Sequence, residues 1–267
     1  MSADFLEKAI EKAQIDQSRK TINNPVETTS SVNDFVYTQT RIVIPNNEIL
    51  QDRRVVTLKQ YNPTADLFRM LRTKLLKQLR TNNWNSFAIT SPTAGVGKSM
   101  VAVNLAISMA MEVNQTVLLV DFDLRNPRIN WYFDFEVEYG LLDYVNSGVA
   151  LERILVNPGI ERLVILPGRE KNKGTSDIIS APSMKRLIED IKSHYESRII
   201  IFDMPPVLLV DDVLAAMEYY DAALLVVEDG ANKPEELTKT LQALSNTNLL
   251  GIVFNKAENL PEHQGGY

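Results

Sequence analysis

The sequence predicts an α/β fold, a mostly parallel sheet with helices on both faces, with an N-terminal extension. The first observation behind this prediction is residues 86–111, where an apolar strand, a glycine-containing turn, a lysine, a serine and an apolar helix follow one another. The second is that two short apolar runs, residues 116–121 and 198–202, lead directly into aspartates. The third is that strand-like and helix-like segments alternate through the rest of the chain.

Length and composition limit the class of protein. A chain of 267 residues, 45% of them hydrophobic, can form one α/β domain with an extension. No run reaches the roughly 18 apolar residues of a membrane span, and the first residues lack the order of a signal peptide, so a cytoplasmic protein is expected. The absence of cysteine excludes thiolate chemistry, and two histidines make a histidine metal cluster unexpected. Any metal is expected to be Mg²⁺ held by oxygen ligands.

The phosphate-loop pattern predicts a nucleotide site. Its glycines allow a tight turn that directs backbone N–H groups and a helix N-terminus toward phosphate oxygens. Pro92 stands where the usual first glycine of the motif would be. The lysine is expected to reach the β- and γ-phosphates and the serine to hold Mg²⁺. The predicted nucleotide-binding residues of the loop are Ala94, Gly95, Val96, Gly97, Lys98, Ser99 and Met100.

Three aspartates follow the two buried strands. Asp121 and Asp123 end the first strand, and Asp203 ends the second. In open α/β sheets ligands bind beyond the carboxyl ends of the strands, so these carboxylates are expected to face the phosphates. Together with the phosphate loop they predict a Mg²⁺–nucleotide site.

The N-terminal part is predicted to lie outside the domain. Residues 3–15 have the spacing of a short amphipathic helix, which is either a docking helix for a partner or a marginal helix that frays. Residues 15–47 are polar and indicate a linker with one short strand at residues 41–44. The predicted division is an extension at 1–57, a domain at 58–256 and a flexible tail at 257–267.

A helix is predicted at residues 65–79, with a basic outer face. Residues 53–80 carry eight lysines or arginines and one acid, a net charge of +7 in a chain whose total is −6. This separation favours an acidic protein partner, a second copy of the chain or an anionic membrane surface, and a solvated face is the alternative. No nucleic-acid partner is expected.

Further elements complete the alternation. Helices are predicted at residues 141–146, 183–195 and 234–244, and strands at 163–166, 222–227 and 249–254. After Asn255 the chain becomes polar and ends in Tyr267.

Residues 58–255 resemble the cytoplasmic domain of the bacterial tyrosine kinases that accompany capsule and exopolysaccharide synthesis, relatives of the MinD and ParA ATPases. AGVGKS resembles their Walker A motif, VLLVDFDLR their Walker A′ motif and IIIFDMPP their Walker B motif. The oligomerisation motif E-x-x-R-x-x-R falls on Asp66, Arg69 and Arg72, with aspartate in place of glutamate. LEKAIEKA near the N-terminus resembles the subgroup linked to exosortase-type loci.

The resemblance implies an ATP- and Mg²⁺-dependent protein-tyrosine autokinase. Lys98 would bind phosphates, and Ser99, Asp121 and Asp203 would hold Mg²⁺. Asp121 and Asp123 would serve the metal and the incoming phenol, with Asp123 as candidate base. Arg125 would either stabilise charge or pair with an acid. Asn255 would contact adenine.

The resemblance also implies partners. Tyr267 would be the phosphate acceptor, exchanged between subunits of a homo-oligomer, for which a ring is one form. A separate membrane-anchored polysaccharide co-polymerase would act as activator and recruit the chain to the inner face of the plasma membrane.

Two other functions stay open. A MinD- or ParA-type ATPase switch would carry a signature lysine where this chain has Thr93, and would lack the arginine-ended D-x-D-x-R strand. In favour of the switch, Tyr267 is the only tyrosine after Tyr220, whereas the kinases usually end in a tyrosine cluster. A non-enzymatic scaffold is the third hypothesis, against which Lys98 and Asp121 are both present.

Overall fold

The computed structural model describes residues 40–56, 63–169, 175–193 and 197–257. The strands are β1 (Arg41–Ile42), β2 (Ser86–Thr90), β3 (Thr116–Asp121), β4 (Val156–Asn157), β5 (Leu163–Leu166), β6 (Arg198–Asp203), β7 (Ala222–Glu228) and β8 (Asn248–Asn255). The helices are α1 (Asn47–Asp52), α2 (Pro63–Asn82), α3 (Lys98–Ala110), α4 (Ile129–Tyr132), α5 (Leu141–Ser147), α6 (Leu151–Ile154), α7 (Thr175–Ile179), α8 (Pro182–Ser193), α9 (Asp212–Ala215) and α10 (Pro234–Ala243), with a 3₁₀ turn at Met217–Tyr219.

The eight strands form one sheet in the order β1-β4-β5-β3-β6-β2-β7-β8. Neighbouring strands are parallel except β4 and β5, which are antiparallel. The predicted mostly parallel α/β fold is therefore confirmed. The register places Asp121 of β3 beside Asp203 of β6, and Asp203 beside Ile89 of β2. The two strand ends that carry the acids thus lie side by side, and β6 directly adjoins β2, the strand that leads into the phosphate loop.

Helices cover both faces of the sheet, which explains why the interior residues of its central strands are apolar. Every residue of β2, β3, β5 and β6 is buried. One core cluster joins one face of the sheet to α2 and α3, and a second joins the other face to α5, α7 and α8. Strands enclosed in this way require apolar side chains on both sides rather than an alternating pattern.

Helix α3 lies at the centre of the first core. Ten of its residues, from Val101 to Ala110, are buried. Its last carbonyl groups accept hydrogen bonds from three side chains: those of Ser108, Met109 and Ala110 accept from Arg72, Gln115 and Arg162, at 2.9, 3.2 and 3.1 Å respectively. These bonds satisfy carbonyl groups that have no partner within the helix, and they place cationic side chains at its negative end.

Residues 40–56 pack with the domain, although the sequence assigns them to an extension ending at residue 57. Leu50 and Val55 belong to the first core cluster. Asn104 of α3 fixes the same segment, because its Oδ1 accepts the Val56 N–H at 2.6 Å and its Nδ2 donates to the Arg54 carbonyl at 3.0 Å. A few apolar anchors in a polar stretch are too sparse to produce a periodic signal, which explains the difference.

The long predicted elements are confirmed. The strand at 163–166 has the predicted bounds. The helices predicted at 65–79, 141–146, 183–195 and 234–244 are present, and their observed ends differ from the predicted ends by up to three residues. The helix predicted at 3–15, most of the tail and Tyr267 lie outside the described residues. Within the described part of the chain, no helix is long and apolar enough to cross a membrane.

Candidate functional site

The phosphate loop joins the end of β2 to the first turn of α3. Gly95 and Gly97 adopt φ angles of +84° and +92°, in the left-handed region that favours glycine. A Cβ atom at Gly97 would lie 2.2 Å from the Asn255 amide nitrogen, so this position also requires glycine for space. Helix α3 begins at Lys98, so the N–H groups of its first turn point toward the loop opening.

The structure brings the predicted lysine and two of the predicted acids together. The Lys98 ammonium donates to Asp123 Oδ2 at 2.8 Å and lies 3.6 Å from Asp203 Oδ1. It also lies 3.3 Å from the Ser99 hydroxyl. The side chains of Asp123 and Asp203 are 7% and 1% exposed, so the ion pairs are shielded from water and salt.

Burial and charge act against each other at this cluster. Burial by itself lowers the pKa of Lys98, but the charges of Asp203 and Asp123 outweigh it and the pKa is raised. Burial raises the pKa of Asp203, and the Lys98 charge only partly offsets that effect. The pKa of Asp121 is raised to about 8, mainly by burial and secondly by the charge of Asp203. The hydrogen bond from the Ile129 N–H lowers the same pKa but does not cancel these two effects. The cluster therefore has more carboxylate than its single lysine can neutralise.

Asp121 has a structural role beside its predicted chemical one. Its Oδ2 accepts the backbone N–H groups of Arg128 and Ile129, both at 2.8 Å. These bonds fix the loop that leaves β3 and begins α4. Its other carboxylate oxygen is buried and has no hydrogen-bond partner among the described residues. Only that oxygen remains available to a metal.

Arg125 pairs with an acid, one of the two roles that the sequence leaves open. Its guanidinium group makes three hydrogen bonds to Asp212, of 2.9 to 3.3 Å. Asp212 is fully buried and also accepts from the Thr175 hydroxyl. Removing Arg125 would leave a buried carboxylate without its charge partner. The residue lines the cleft described below, and its fixed pairing favours a positioning role.

The end of β8 and the residue after it hold the phosphate loop by hydrogen bonds to its backbone. Asn255 Nδ2 donates to the Val96 carbonyl at 2.7 Å. The Lys256 ammonium donates to the Gly95 carbonyl at 2.9 Å and to Glu228 at 2.8 Å. The amide N–H₂ of Asn255 is thus directed to the loop backbone, whereas the sequence assigns this residue to adenine. Asn255 and Lys256, near the end of the described part of the chain, thus lie beside the loop.

These elements enclose a cleft of about 520 Å³, hereafter the phosphate cleft. The predicted residues that line it are Ala94, Gly95, Gly97, Lys98, Ser99, Asp123 and Arg125. The lining residues that sequence reasoning missed are Asn126, Arg128, Tyr132, Pro205, Pro206, Leu209 and Val210. All of the missed residues follow β3 or β6 in the chain. Their position after strands that end in acids is the signal that would have identified them.

The donor set fits Mg²⁺ held together with a nucleotide. Both carboxylate oxygens of Asp203 are buried, and neither has a hydrogen-bond partner among the described residues. Ser99 lines the phosphate cleft, and its hydroxyl lies 3.3 Å from the Lys98 ammonium, which is itself 3.6 Å from Asp203 Oδ1. The described residues include no group of three acidic, histidine or cysteine side chains arranged to ligate a metal by themselves. Such a sparse set is typical of Mg²⁺ that takes one or two protein ligands and completes its shell with phosphates and water.

The three predicted oligomerisation residues are engaged within one copy of the chain. Asp66 and Arg69 form an ion pair with each other on α2, where both are exposed. Arg72 donates to the Ser108 carbonyl at 2.9 Å and pairs with Glu112 at 3.1 Å. Asp66 and Arg69 remain accessible to a second copy, whereas Arg72 has a structural role in its own copy.

Comparison with known proteins identifies relatives of this site. Residues 85–249 match the AAA domain family. YwqD of Bacillus subtilis, named a tyrosine-protein kinase, is 28% identical over 205 residues, 76% of this chain and 85% of the relative. EpsB of Ralstonia solanacearum is 30% identical over 201 residues, 73% of this chain and 26% of the relative. The chain thus spans about a quarter of the length of that relative.

Solved structures give the same result. The kinase domain of Escherichia coli tyrosine kinase ETK superposes with a TM-score of 0.68 at 25% identity, covering 84% of this chain and 93% of that one. The septum site-determining protein MinD of Pyrococcus horikoshii, complexed with Mg-ADP, superposes with a TM-score of 0.52 at 23% identity, covering 67% and 74%. The second likeness is one of fold. The chain therefore belongs to the AAA domain family, and the predicted resemblance to the bacterial tyrosine kinases, P-loop proteins related to MinD, is confirmed.

Proposed function

We propose that this chain is an ATP- and Mg²⁺-dependent protein-tyrosine kinase that phosphorylates Tyr267 between copies of itself. The observation that carries the proposal is the position of Asp123. It is a second carboxylate at the carboxyl end of β3, inside the phosphate cleft and 2.8 Å from the Lys98 ammonium. Magnesium binding by Asp203 does not require it. A further carboxylate beside Lys98, the lysine that would bind the phosphates, supplies a proton acceptor for an incoming hydroxyl group.

The binding roles follow from the geometry of the phosphate loop. N–H groups of residues 94–100 and the start of α3 would hold the phosphates, and Lys98 would add its charge. The Ser99 hydroxyl and the buried Asp203 oxygens are the ligands proposed for Mg²⁺, with the second oxygen of Asp121 available as well. When bound, Mg²⁺ neutralises charge that develops on the phosphate oxygens.

Asp123 and Lys98 carry the proposed transfer step. Lys98 turns its ammonium group from Asp123 to the phosphates, which leaves the Asp123 carboxylate free to accept the phenol proton. The phenol oxygen forms a bond to the γ-phosphorus as the bond from that phosphorus to the β,γ-bridging oxygen breaks, and ADP leaves. A phenol has a pKa near 10, so a closely placed carboxylate and the surrounding cations are needed to activate it.

The tail supplies the proposed acceptor. It leaves the domain beside the phosphate loop, where Lys256 bonds the Gly95 carbonyl. Residues 256–267 could extend at most roughly 40 Å, which is enough to reach the cleft of a neighbouring copy. Phosphorylation would add about −1.5 to −2 charges beside Asp121, Asp123 and Asp203. The resulting repulsion would expel the tail and loosen the oligomer.

The proposed setting is polysaccharide synthesis. The resemblance to tyrosine kinases of capsule and exopolysaccharide loci supports a role in regulating polymerisation or export. A separate membrane-anchored co-polymerase would then activate the chain and recruit it to the inner face of the plasma membrane. The basic outer face of α2 is a surface to which an acidic partner or anionic lipid would bind.

Mixing two complementary variants, one without the phosphate-binding lysine and one without the acceptor tyrosine, tests the route of transfer. A Lys98→Met chain serves as acceptor and a Tyr267→Phe chain as donor, incubated with ATP and Mg²⁺. Phosphate at Tyr267 of the acceptor supports transfer between copies. Phosphate confined to internal tyrosines such as Tyr219 or Tyr220, whose side chains are buried, would contradict it.

An ATPase switch is the second candidate function, favoured by the fold shared with MinD. Against it, Thr93 occupies the position of the signature lysine and accepts a hydrogen bond from Asn232 at 3.0 Å. Steady ATP hydrolysis by the purified chain without phosphotyrosine, also in the presence of the membrane partner, would favour the switch.

A further inference from the structure

A second recess adjoins the phosphate cleft along the loop that leaves β3. It has a volume of about 490 Å³ and is lined by Asn126, Pro127, Arg128, Asn130, Trp131 and Arg169; it is called the Trp131 recess here. Asn126 and Arg128 line both cavities, so these two residues form a shared wall between them. The Asn126 N–H also donates to Asp123 Oδ1 at 3.1 Å. The wall of the recess is thus bonded directly to the proposed base.

Trp131 is an exposed aromatic side chain held in a fixed position. It is 48% exposed. The Arg53 guanidinium carbon lies 4.7 Å from the centre of its ring, and Arg53 also donates to the Trp131 carbonyl and pairs with Asp134 at 3.0 Å. The edge of Tyr132 packs against the same ring, with centroids 5.0 Å apart. A large apolar side chain fixed at a surface is a typical anchor for a binding partner.

The recess is also cationic. Arg128 is exposed, and among the described residues no carboxylate lies within ion-pair distance of it. Its backbone is fixed by the N–H bond to Asp121, so the guanidinium group extends from a rigid point. Arg169 adds a second guanidinium group, which pairs with Asp143 at 3.0 Å. Tryptophan and arginine together favour a partner that offers an aromatic or apolar group and a carboxylate.

We propose that the Trp131 recess is the docking subsite for the segment that carries the acceptor tyrosine, and that it selects an acidic segment from a second copy of this chain. The proposal rests on the kinase function proposed above. Residues 258–267, ENLPEHQGGY, contain two glutamates and no lysine or arginine. The glutamates would pair with Arg128 while the tyrosine approaches Asp123 along the shared wall.

The test uses Trp131 as its own reporter. The sequence contains two tryptophans, so Trp84→Phe leaves Trp131 as the single fluorophore. The full chain also carries Glu258→Gln and Glu262→Gln, so that its own tail does not compete. It is titrated, without ATP, with a carboxyl-amidated peptide of residues 257–267 and with the same peptide in which both glutamates are glutamine.

The acidic peptide is expected to change the Trp131 fluorescence and to bind about fivefold more tightly than the glutamine peptide. Arg128→Gln is expected to reduce that ratio to near one, whereas Arg186→Gln, an exposed arginine on α8, leaves it intact. Equal affinities for the two peptides, a ratio that survives Arg128→Gln, or no response of Trp131 to the acidic peptide would overturn the proposal.

Addition of ATP and Mg²⁺ separates this proposal from the kinase function. A peptide that binds with the expected charge dependence but is never phosphorylated would refute the kinase function and leave the recess as a peptide site. A peptide that is phosphorylated with the same KM whether acidic or neutral would refute the recess and leave the kinase function. In the expected case, Arg128→Gln raises the KM for the acidic peptide more than it lowers kcat.

Discussion

At the scale of single residues, the strand ends beside the phosphate cleft bring three acids close to one lysine. Asp121, Asp123 and Asp203 are all buried at adjoining strand ends, and Lys98 is in contact with two of them. Burial of this many carboxylates raises the pKa of Asp121 and Asp203. A bound cation such as Mg²⁺ would offset this negative charge, which is the arrangement expected of a site built for a metal nucleotide.

Replacing Asp123 with asparagine tests the proposed base. Asp123→Asn removes the proton acceptor and the 2.8 Å partner of Lys98. Phosphotransfer is expected to fall by about 10²-fold or more, with nucleotide binding retained. The initial rate of tyrosine phosphorylation and the affinity for a fluorescent ATP analogue measure the two effects. Asp52→Asn, an exposed acid on α1, is the matched control. Full activity of the Asp123 variant would remove this residue from the chemistry.

The raised pKa of Asp121 predicts how stability depends on pH. Asp121 titrates near 8 in the folded chain and near 3.8 as a free side chain, so between these values the folded state binds more protons than the unfolded state. Stability therefore falls as pH rises from about 4 to 8, by at most about 1.4 kcal/mol per pH unit for this group.

Urea unfolding measures how the free energy of unfolding depends on pH. It is carried out in EDTA at pH values of about 5.5, 6.5 and 7.5, which lie inside that range. Asp121→Asn keeps an oxygen for the two backbone N–H groups but does not titrate, so its slope should be shallower. A wild-type stability that rises across this range would contradict the raised pKa.

At the scale of elements, α2 carries both an exposed ion pair and an arginine that holds the end of α3. The Asp66–Arg69 pair is exposed, and such pairs contribute about 0–1 kcal/mol. Arg72, by contrast, bonds the end of α3 and pairs with Glu112. The two arginines of the motif should therefore respond differently to substitution.

Separate alanine variants distinguish the two arginines. Arg69→Ala should shift the oligomer toward monomer in light scattering without a change in Tm. Arg72→Ala should lower Tm by about 2–4 °C, because the loss of one such bond costs about 1 kcal/mol. Lys77→Ala, exposed on the same helix, is the control for general charge loss. The same mass for wild type and for Arg69→Ala would leave the exposed part of α2 as a solvated face.

Asn104 connects α3 to the segment before α2. It satisfies the Val56 N–H and the Arg54 carbonyl with one side chain. Asn104→Ala is expected to lower the free energy of unfolding by about 2 kcal/mol, because it leaves buried backbone groups without partners. Chemical denaturation compares it with Asn82→Ala, which removes a single exposed bond on α2. Equal losses for both variants would mean that residues 53–56 do not contribute to the core.

At the scale of the whole molecule, the sequence predicts every strand of the sheet except β4. Strands such as β3 and β6 are continuous apolar runs between helices, and that pattern is local. The two-residue strand β4 and the four-residue helices are too short to have a period, and β1 covers only the first two residues of the strand predicted at 41–44. The antiparallel pairing of β4 with β5 depends on contacts between strands, which a single sequence does not encode locally.

In the candidate site, too, local motifs are predictable from the sequence and long-range contacts are not. The phosphate loop and the acids are recognisable because each stands at the end of a predicted strand. The partner of Arg125 is not, because Asp212 lies 87 positions away and meets it only in the folded chain. The bond from Asn255 to the phosphate loop spans 159 positions and is equally invisible in the sequence. Long-range polar pairs therefore decide the roles that local motifs leave open.

The most direct test of the account is transfer of labelled γ-phosphate from ATP to tyrosine by the purified full chain. With Mg²⁺ present, the wild type is expected to accumulate phosphotyrosine at Tyr267, in the presence of the membrane partner if that partner is required. Lys98→Met is expected to accumulate none while keeping its fold by circular dichroism. ATP hydrolysis by the wild type without any phosphotyrosine would contradict the assignment as a tyrosine kinase, and phosphotyrosine in the Lys98→Met chain alone would remove the phosphate loop from the mechanism.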